Sequence, residues 1–525
     1  MGYVKISGNN TVESISGGYV MAEAAVSSSE LPRTIILTGE AMLAEEEKPA
    51  HRKMALIWIT TALILFPILA LLGFLMRTSQ ANVLTLPPEW FYASMTLHGL
   101  GMVGIWYIGA MGGVAYLLTR YVQPSLKVNK AVYWATLVAV ILLVLATLVG
   151  KFITGWYFLY PLPLYPADVW RPWATVAFFA FLTIAGVAWT VWTLDMLRAI
   201  AQKYSLSSAL AWPVLFGKQA ESDVPPMILI VTVSLISALA GFLAAVVLLV
   251  LFIVEGVGTG FTNDALLMKN LVFYFGHVLV NITMYLGVAM VYELMPAFAE
   301  RGRLTTKWMV AAAWNASLLL VNLAYFHHLY MDFVQPGWFQ KIGQVVSYLV
   351  SVPAGVVTII SVLALVFGSR MRWRFPAVLF FLGVMGWAIG GMAAVVDSTI
   401  VVNFRFHNTL WVPAHFHTYY LAGVVFMILA FSYQLAGEMS GLPENGRRES
   451  IIAGLLLVGA YGFLSMFYLA GANSVPRRYA VYPELVAQGS SYATVALIFI
   501  ALLLMGIFWY LWEFGKRCTQ AFSTT

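Results

Sequence analysis

A single cysteine, Cys518, in 525 residues rules out an internal disulfide, a Cys-x-x-Cys-His attachment site for a c-type heme and a dinuclear copper site built by this chain alone. Charge is also scarce. Only 10% of the residues are Asp, Glu, Lys or Arg while 61% are hydrophobic, and the mean hydropathy is +0.83. That balance excludes a soluble globular fold as the simple reading. The N-terminus lacks the order of positive, apolar and small residues that marks a signal peptide. The formal charge of +6 is accounted for by loop cations and gives no reason to expect a nucleic-acid partner.

What the chain has instead is apolar runs of membrane-spanning length, recurring from end to end. Twelve spans are expected, at roughly 54–76, 91–119, 129–151, 170–197, 225–254, 268–296, 306–330, 342–369, 375–396, 406–437, 450–472 and 491–515. The fold class is therefore all-α, a polytopic twelve-helix membrane bundle over residues 54–515. It is preceded by a polar extension, residues 1–53, with Glu45, Glu46 and Glu47, and followed by a short tail, residues 516–525.

Orientation follows from the short loops. Arg52 and Lys53, Arg120 with Lys127 and Lys130, Arg198 with Lys203, Arg301 with Arg303 and Lys307, Arg370 with Arg372 and Arg374, Arg447 with Arg448, and Lys516 with Arg517 fall on one side, read as cytoplasmic. The opposite loops are poorer in cations and rich in aromatics, as in Trp156-Tyr157-Phe158. Both termini are expected to be cytoplasmic, in a prokaryotic inner or plasma membrane.

Six of the eight histidines then sit in the outer part of four spans: His98, His277, His327, His328, His415 and His417. With spans two, six and ten running inward and span seven outward, all six reach one layer. An imidazole at lipid depth is costly unless it is bonded or ligates something, so six in one layer point to metal chemistry. A lone one could simply bond a neighbouring helix. His51 falls in the polar stretch before the first span, and His407 lies close enough to His415 to bond a buried anion.

Spacing divides the six. Residues two apart on a helix point about 200° apart, so His415 and His417 serve different flat cofactors on opposite sides of one helix. Two hemes fit. His98 is the isolated ligand that completes a six-coordinate, low-spin heme with His417, suited to electron transfer, while the heme on His415 keeps an open face. His277, His327 and His328 are then free to bind a non-heme metal opposite that face.

The segments Leu97-His98-Gly99, Gly276-His277-Val278, Phe326-His327-His328, His407-Asn408-Thr409, Trp411-Val412-Pro413-Ala414-His415-Phe416-His417 and Val475-Pro476-Arg477-Arg478-Tyr479 resemble the catalytic subunit I of the heme-copper oxygen reductase and nitric oxide reductase superfamily. The likeness is nearer to the B-type oxygen reductases than to the mitochondrial type. It implies a low-spin heme at His98 and His417, a high-spin heme at His415, copper at His277, His327 and His328, and heme propionates held by Arg477 and Arg478. A guanidinium fork suits such carboxylates. Copper is favoured by three neutral imidazoles, with iron as the alternative.

One position departs from the oxygen reductases. They are expected to carry a tyrosine four residues after the first non-heme histidine, cross-linked to it and supplying an electron and a proton as the O–O bond breaks. Here that position is Asn281, and the next tyrosine, Tyr285, is about 12 Å along the helix from His277. In the familiar nitric oxide reductases the position resembles a glutamate; Asn281 offers an amide oxygen and an amide donor without the charge. It could also do no more than bond a neighbouring helix. Of the polar path expected along spans six and eight, Tyr292 and Thr358 match, while Val288 replaces a tyrosine, so that a path would be rerouted through Ser347, Ser351 or waters. Glu255 and Glu293 are further candidates for proton conduction.

The reading favoured is a respiratory nitric oxide reductase, with a terminal oxygen reductase oxidising cytochrome c or quinol as the alternative. A transporter or heme-handling membrane protein is the reading from another class, and it has to explain the six histidines as accident. Electrons must arrive from a partner. The resemblance implies a smaller membrane-anchored subunit with a copper or heme c domain, fed by cytochrome c, a cupredoxin or quinol; lipid is the remaining partner.

Overall fold

The computed structural model describes residues 4–6, 12–14 and 47–523. The chain divides into two units, Met1–Ile36 and Leu37–Thr525. In the first, β1 (Val4–Ile6) and β2 (Val12–Ser14) pair antiparallel. The rest of the expected N-terminal extension up to residue 46 lies outside the described residues.

Among the described residues, the second unit holds twelve helices long and apolar enough to cross a membrane. They are α1 Lys48–Gln80, α2 Pro88–Leu118, α3 Leu126–Val149, α4 Pro172–Tyr204, α5 Pro226–Gly256, α6 Ala265–Phe298, α7 Trp308–Leu329, α8 Gly337–Phe367, α9 Phe375–Asp397, α10 Trp411–Ser440, α11 Gly446–Ala472 and α12 Gln488–Ser523. Their starts are written in the sequence. Proline opens α2, α4 and α5, where its missing N–H costs nothing. Ser125, Asp264 and Asn445 accept from backbone N–H groups at the heads of α3, α6 and α11. Gly441, at φ +67°, closes α10 in the left-handed conformation. One short ladder, β3 (Glu221–Ser222) with β4 (Thr306–Lys307), ties two loops together.

The outer boundaries differ from the expected ones. The first span begins inside the stretch read as polar extension, because residues from Glu47 onward are helical and His51 is buried there. At the other end α12 runs to Ser523, so the expected tail continues the helix. Arg517 is no loop cation: it is 4% exposed, paired to Glu449 at 3.2 Å and stacked over Tyr433. Span ten starts later than expected, at Trp411, after a separate short helix, Ile400–Phe406.

Burial sorts the twelve helices. In α2, α6 and α10, 72%, 89% and 83% of the most apolar stretch is buried, against 33–44% in the other nine. These three form the centre of the bundle, and four of the six histidines sit on them. The outer helices turn bare apolar side chains such as Ile64, Val176 and Leu319 outward, as suits a lipid surface and not water.

Two close approaches fix α10. Gly383, Gly386 and Gly390 on α9 let the backbones touch: a Cβ at Gly386 would lie 2.2 Å from the Ala422 carbonyl oxygen, and one at Gly390 2.8 Å from Tyr419 Cα. On the other side a Cβ at Gly471 of α11 would lie 2.1 Å from the Trp411 nitrogen. Along the α9 contact α10 widens into a π-turn over Tyr420–Val425, a deformation common at functional sites. Gly386→Val is expected to cost about 1–3 kcal/mol through overpacking. Thermal melts and heme content of the purified protein would check it, both being lower than in the wild type.

Candidate metal and heme centre

His277 projects from the buried α6, whereas His327 and His328 lie in the 3-10 turn Ala324–Leu329 that ends α7. The expected α-helical placement of the pair is thus replaced by a tighter turn, whose neighbouring side chains diverge by about 120°. Ligand nitrogens of all three lie within 4.8 Å of one another. His277 Nδ1 and His328 Nε2 are 3.3 Å apart. Two nitrogens sharing an ion at the usual metal–nitrogen length stand about 3.3 Å apart in tetrahedral geometry, so the pair fits an ion with little rearrangement. His327 Nδ1 meets Ser347 Oγ at 3.0 Å, which leaves its Nε2 free. Phe273 stacks on the His328 ring at 5.4 Å. Ser347, expected on a proton route, is this histidine's partner.

The remaining three share one pattern. His98 Nδ1 lies 2.8 Å from the Leu69 carbonyl oxygen, His415 Nδ1 3.2 Å from that of Gly390, and His417 Nδ1 2.7 Å from that of Pro413. A carbonyl only accepts, so Nδ1 carries the proton in each and Nε2 keeps its lone pair for a ligand. The His98 and His417 rings are 6.2 Å apart, with planes 19° from parallel. Two imidazoles bound across one iron have centroids about 6.3 Å apart, given metal–nitrogen bonds of about 2 Å. The pair fits a bis-histidine heme. His417 also meets Phe463 and Phe467 of α11, while His415 leans on α9, so the two do face opposite sides of α10.

Asn281 stands one turn below His277. Its Nδ2 donates to the His277 carbonyl oxygen at 2.8 Å and is 3.3 Å from His277 Nε2. Its Oδ1 accepts from the Tyr419 hydroxyl at 2.9 Å. The amide thus touches a site histidine and also bonds a neighbouring helix. Tyr419 was not singled out in the sequence, although its spacing of four from His415 on one helix face was a usable signal. Tyr285 packs edge-on against Trp314, one turn further along.

Arg477 and Arg478 lie in the loop after α11, stitched to the segment before α10 by a Thr409–Pro476 bridge and by Arg477 N donating to the Asn408 carbonyl oxygen at 3.0 Å. Arg477 Nη2 donates to Asn408 Oδ1 at 2.9 Å, and its Nε is buried without a partner. Burial, then the charge of Arg478, pushes the Arg477 guanidinium down to about 9. Burial followed by Arg477 and Lys269 pushes His407 down to about 4. A buried cationic cluster with an orphaned donor fits an anion such as a carboxylate. Arg478 also stacks over Tyr157 of the aromatic outer loop, 3.9 Å from its centroid.

The proton candidates separate. Tyr292 donates to Thr358 at 3.4 Å and to Ser361 at 3.3 Å, so two expected members meet and Ser361 joins them. Val288 is fully buried between these residues and the site; the Ser351 side chain lies outside the described residues. Glu293, near the end of α6, is buried. It is 6% exposed, bound by Arg120 at 2.9 Å and by the Tyr121 hydroxyl at 2.5 Å. Glu255 is held by the Tyr160 hydroxyl and Asn263 at the far end of α5.

Comparisons with known proteins agree with this arrangement. Residues 53–512 match the family model described as Cytochrome C and Quinol oxidase polypeptide I. The chain is 25% identical over 492 residues to cytochrome c oxidase subunit 1 of Thermostichus vulcanus, covering 89% of this chain and 84% of the relative. It is 28% identical over 265 residues to cytochrome c oxidase subunit 1 of Thermus thermophilus, 47% of this chain and 45% of that one. A heme-copper terminal oxidase dimer solved by cryo-EM shares the fold, with a TM-score of 0.74 at 19% identity, covering 89% of this chain and 84% of that one. With a match over nearly the whole helical bundle, and with histidines arranged for hemes and a further metal, the chain belongs to the heme-copper oxidase subunit I family, whose members are membrane oxidoreductases.

Proposed function

We propose that this chain is the catalytic subunit of a nitric oxide reductase: two NO, two electrons and two protons give N2O and water. The observation that carries the reading is Asn281, an amide with no redox chemistry, hydrogen-bonded beside His277 where O–O cleavage would call for a tyrosine. Reduction of NO breaks no O–O bond and can dispense with that donor.

In this reading His98 and His417 hold the low-spin heme, His415 the high-spin heme, and His277, His327 and His328 a copper ion. Arg477 and Arg478 hold the propionates, with His407 beside them. When bound, the hemes and metal supply electrons and the place where NO is reduced. The protein's part is to present His98, His415 and His417 in one tautomer, through the carbonyls of Leu69, Gly390 and Pro413, and to orient His327 through Ser347. Copper is favoured over iron because the clustered donors are three neutral nitrogens, and Asn281 is an amide where iron would call for a carboxylate. Electrons come from a smaller membrane-anchored subunit bearing a copper or heme c domain, docked on the outer side. The basic loops support a topology with both termini in the cytoplasm of a prokaryotic cell.

A terminal oxygen reductase is the second reading. It is favoured by the relatives named cytochrome c oxidase subunit 1 and by the Tyr419 hydroxyl, a phenol within 2.9 Å of Asn281.

Four outcomes test these assignments. In His98→Ala the low-spin optical signal is expected to become high-spin or vanish and electron delivery to stop; a full low-spin spectrum would refute the pairing with His417. Elemental analysis is expected to give two irons and one copper per chain, and three irons without copper would overturn the metal assignment. With one reduced donor, N2O formation is expected to outpace O2 consumption. Oxygen turnover equal to or above NO turnover would make the oxidase reading the correct one. In the same assay Asn281→Tyr is expected to yield no efficient oxidase, since a phenol there meets Tyr419 and the polar path ends at Val288.

A further inference from the structure

Arg77 is buried near the end of α1, 5% exposed. It continues a stripe of that helix spaced by four residues: Leu69 offers its carbonyl to His98 Nδ1, and a Cβ at Gly73 would lie 2.8 Å from His98 Cε1. The Arg77 guanidinium lies 4.0 Å over the Phe467 ring, and Phe467 stands edge-on to His417. Through these contacts Arg77 borders the space between the His98 and His417 rings, about 6 Å along α1 from the Gly73 contact. Among the described residues no carboxylate faces this charge, and a buried cation without a counter-charge is costly. What faces it is Tyr482, whose own hydroxyl is buried outside hydrogen-bonding geometry with any partner. The loop that carries Tyr482 follows directly on Arg477 and Arg478 and is fastened to the end of α1, since Gln80 Nε2 donates to the Tyr479 carbonyl oxygen at 2.7 Å and Ser79 Oγ to that of Ala480 at 3.2 Å. The three arginines thus share one end of the bundle.

We propose that Arg77 and Tyr482 together hold a propionate of the heme bound between His98 and His417, and that the Arg77 charge raises the reduction potential of that heme. The proposal rests on the pairing of His98 with His417, and it is independent of whether NO or O2 is reduced. Arg477 and Arg478 are turned to Asn408, His407 and Tyr157, and the carboxylates of two hemes outnumber them. A guanidinium with a phenol beside it offers such a carboxylate charge-assisted hydrogen bonds from two side chains. The same charge acts on the iron at low dielectric, favouring the ferrous state because that state carries one positive charge fewer.

The test uses the assembled holoenzyme from cells fed δ-aminolevulinate with a carbon isotope at its carboxyl, which labels the heme propionates and no amino-acid side chain. One measurement is the carboxylate stretch of that label in the infrared redox-difference spectrum, taken across the transition of the low-spin heme. The other is the ratio of ferrous to ferric low-spin heme at a fixed potential. In Arg77→Leu the labelled band is expected to move and the ratio to fall by about tenfold, the weight of one nearby charge. Arg77→Lys is expected to recover most of the ratio, because it keeps the charge and loses only the fork. Tyr482→Phe is expected to move the band and leave the ratio nearer the wild type. An unmoved band or an unchanged ratio in Arg77→Leu overturns the proposal, as does an Arg77→Lys ratio as low as that of Arg77→Leu. If Arg77→Leu assembles without the low-spin heme, Tyr482→Phe takes its place, and an unmoved band there overturns the proposal too. A full low-spin spectrum in His98→Ala overturns this proposal and the heme pairing together. Oxygen turnover above NO turnover, with the Arg77→Leu changes present, overturns only the nitric oxide reading and upholds the role of Arg77.

Discussion

A polar atom at lipid depth must be given a partner, and the centre of this bundle is arranged around that requirement. Four imidazoles meet it in one way, with Nδ1 on a carbonyl or hydroxyl of the protein and Nε2 left over. The leftover lone pair is a debt that only a ligand in the central space can settle. His277 differs, since its Nδ1 faces another imidazole and its Nε2 faces Asn281. The site is therefore polarised by its second layer of contacts before any cofactor is considered.

Those contacts depend on backbone proximity more than on side-chain choice. Gly390 reaches His415 through its carbonyl only because α9 and α10 touch along Gly383, Gly386 and Gly390. In a bilayer, apolar side chains gain little by meeting one another instead of lipid, so such small-residue contacts supply the packing that holds helices in register. The loop carrying Arg477 is registered differently, by main-chain bonds to residues 408–410. The arginine-bearing end of the site is thus tied to the stretch of chain that leads into its histidines.

Much of this was legible in the sequence. The twelve helices followed from hydropathy, and the division of the histidines into His98 with His417, His415, and His277 with His327 and His328 followed from helical phase and chain direction. What escaped depends on tertiary context. The 3-10 turn at Ala324–Leu329 leaves no mark in hydropathy, and the ion pairs burying Glu293 and Arg517 join residues 173 and 68 positions apart. The bond from Tyr419 to Asn281 spans 138 residues. A phase argument applied to α10 would have put Tyr419 on the face of His415, but nothing local says that this face meets Asn281.

One residue, Phe416, separates His415 from His417, and its ring stacks on Tyr420 of the same helix. Whatever the two imidazoles hold is accordingly spaced by covalent geometry within a single buried helix. Subunit docking, bilayer thickness and thermal breathing between helices alter that spacing far less than they alter any gap bridged by packing. For a charge passing between the two sides of α10, the distance is set chiefly by the chain itself.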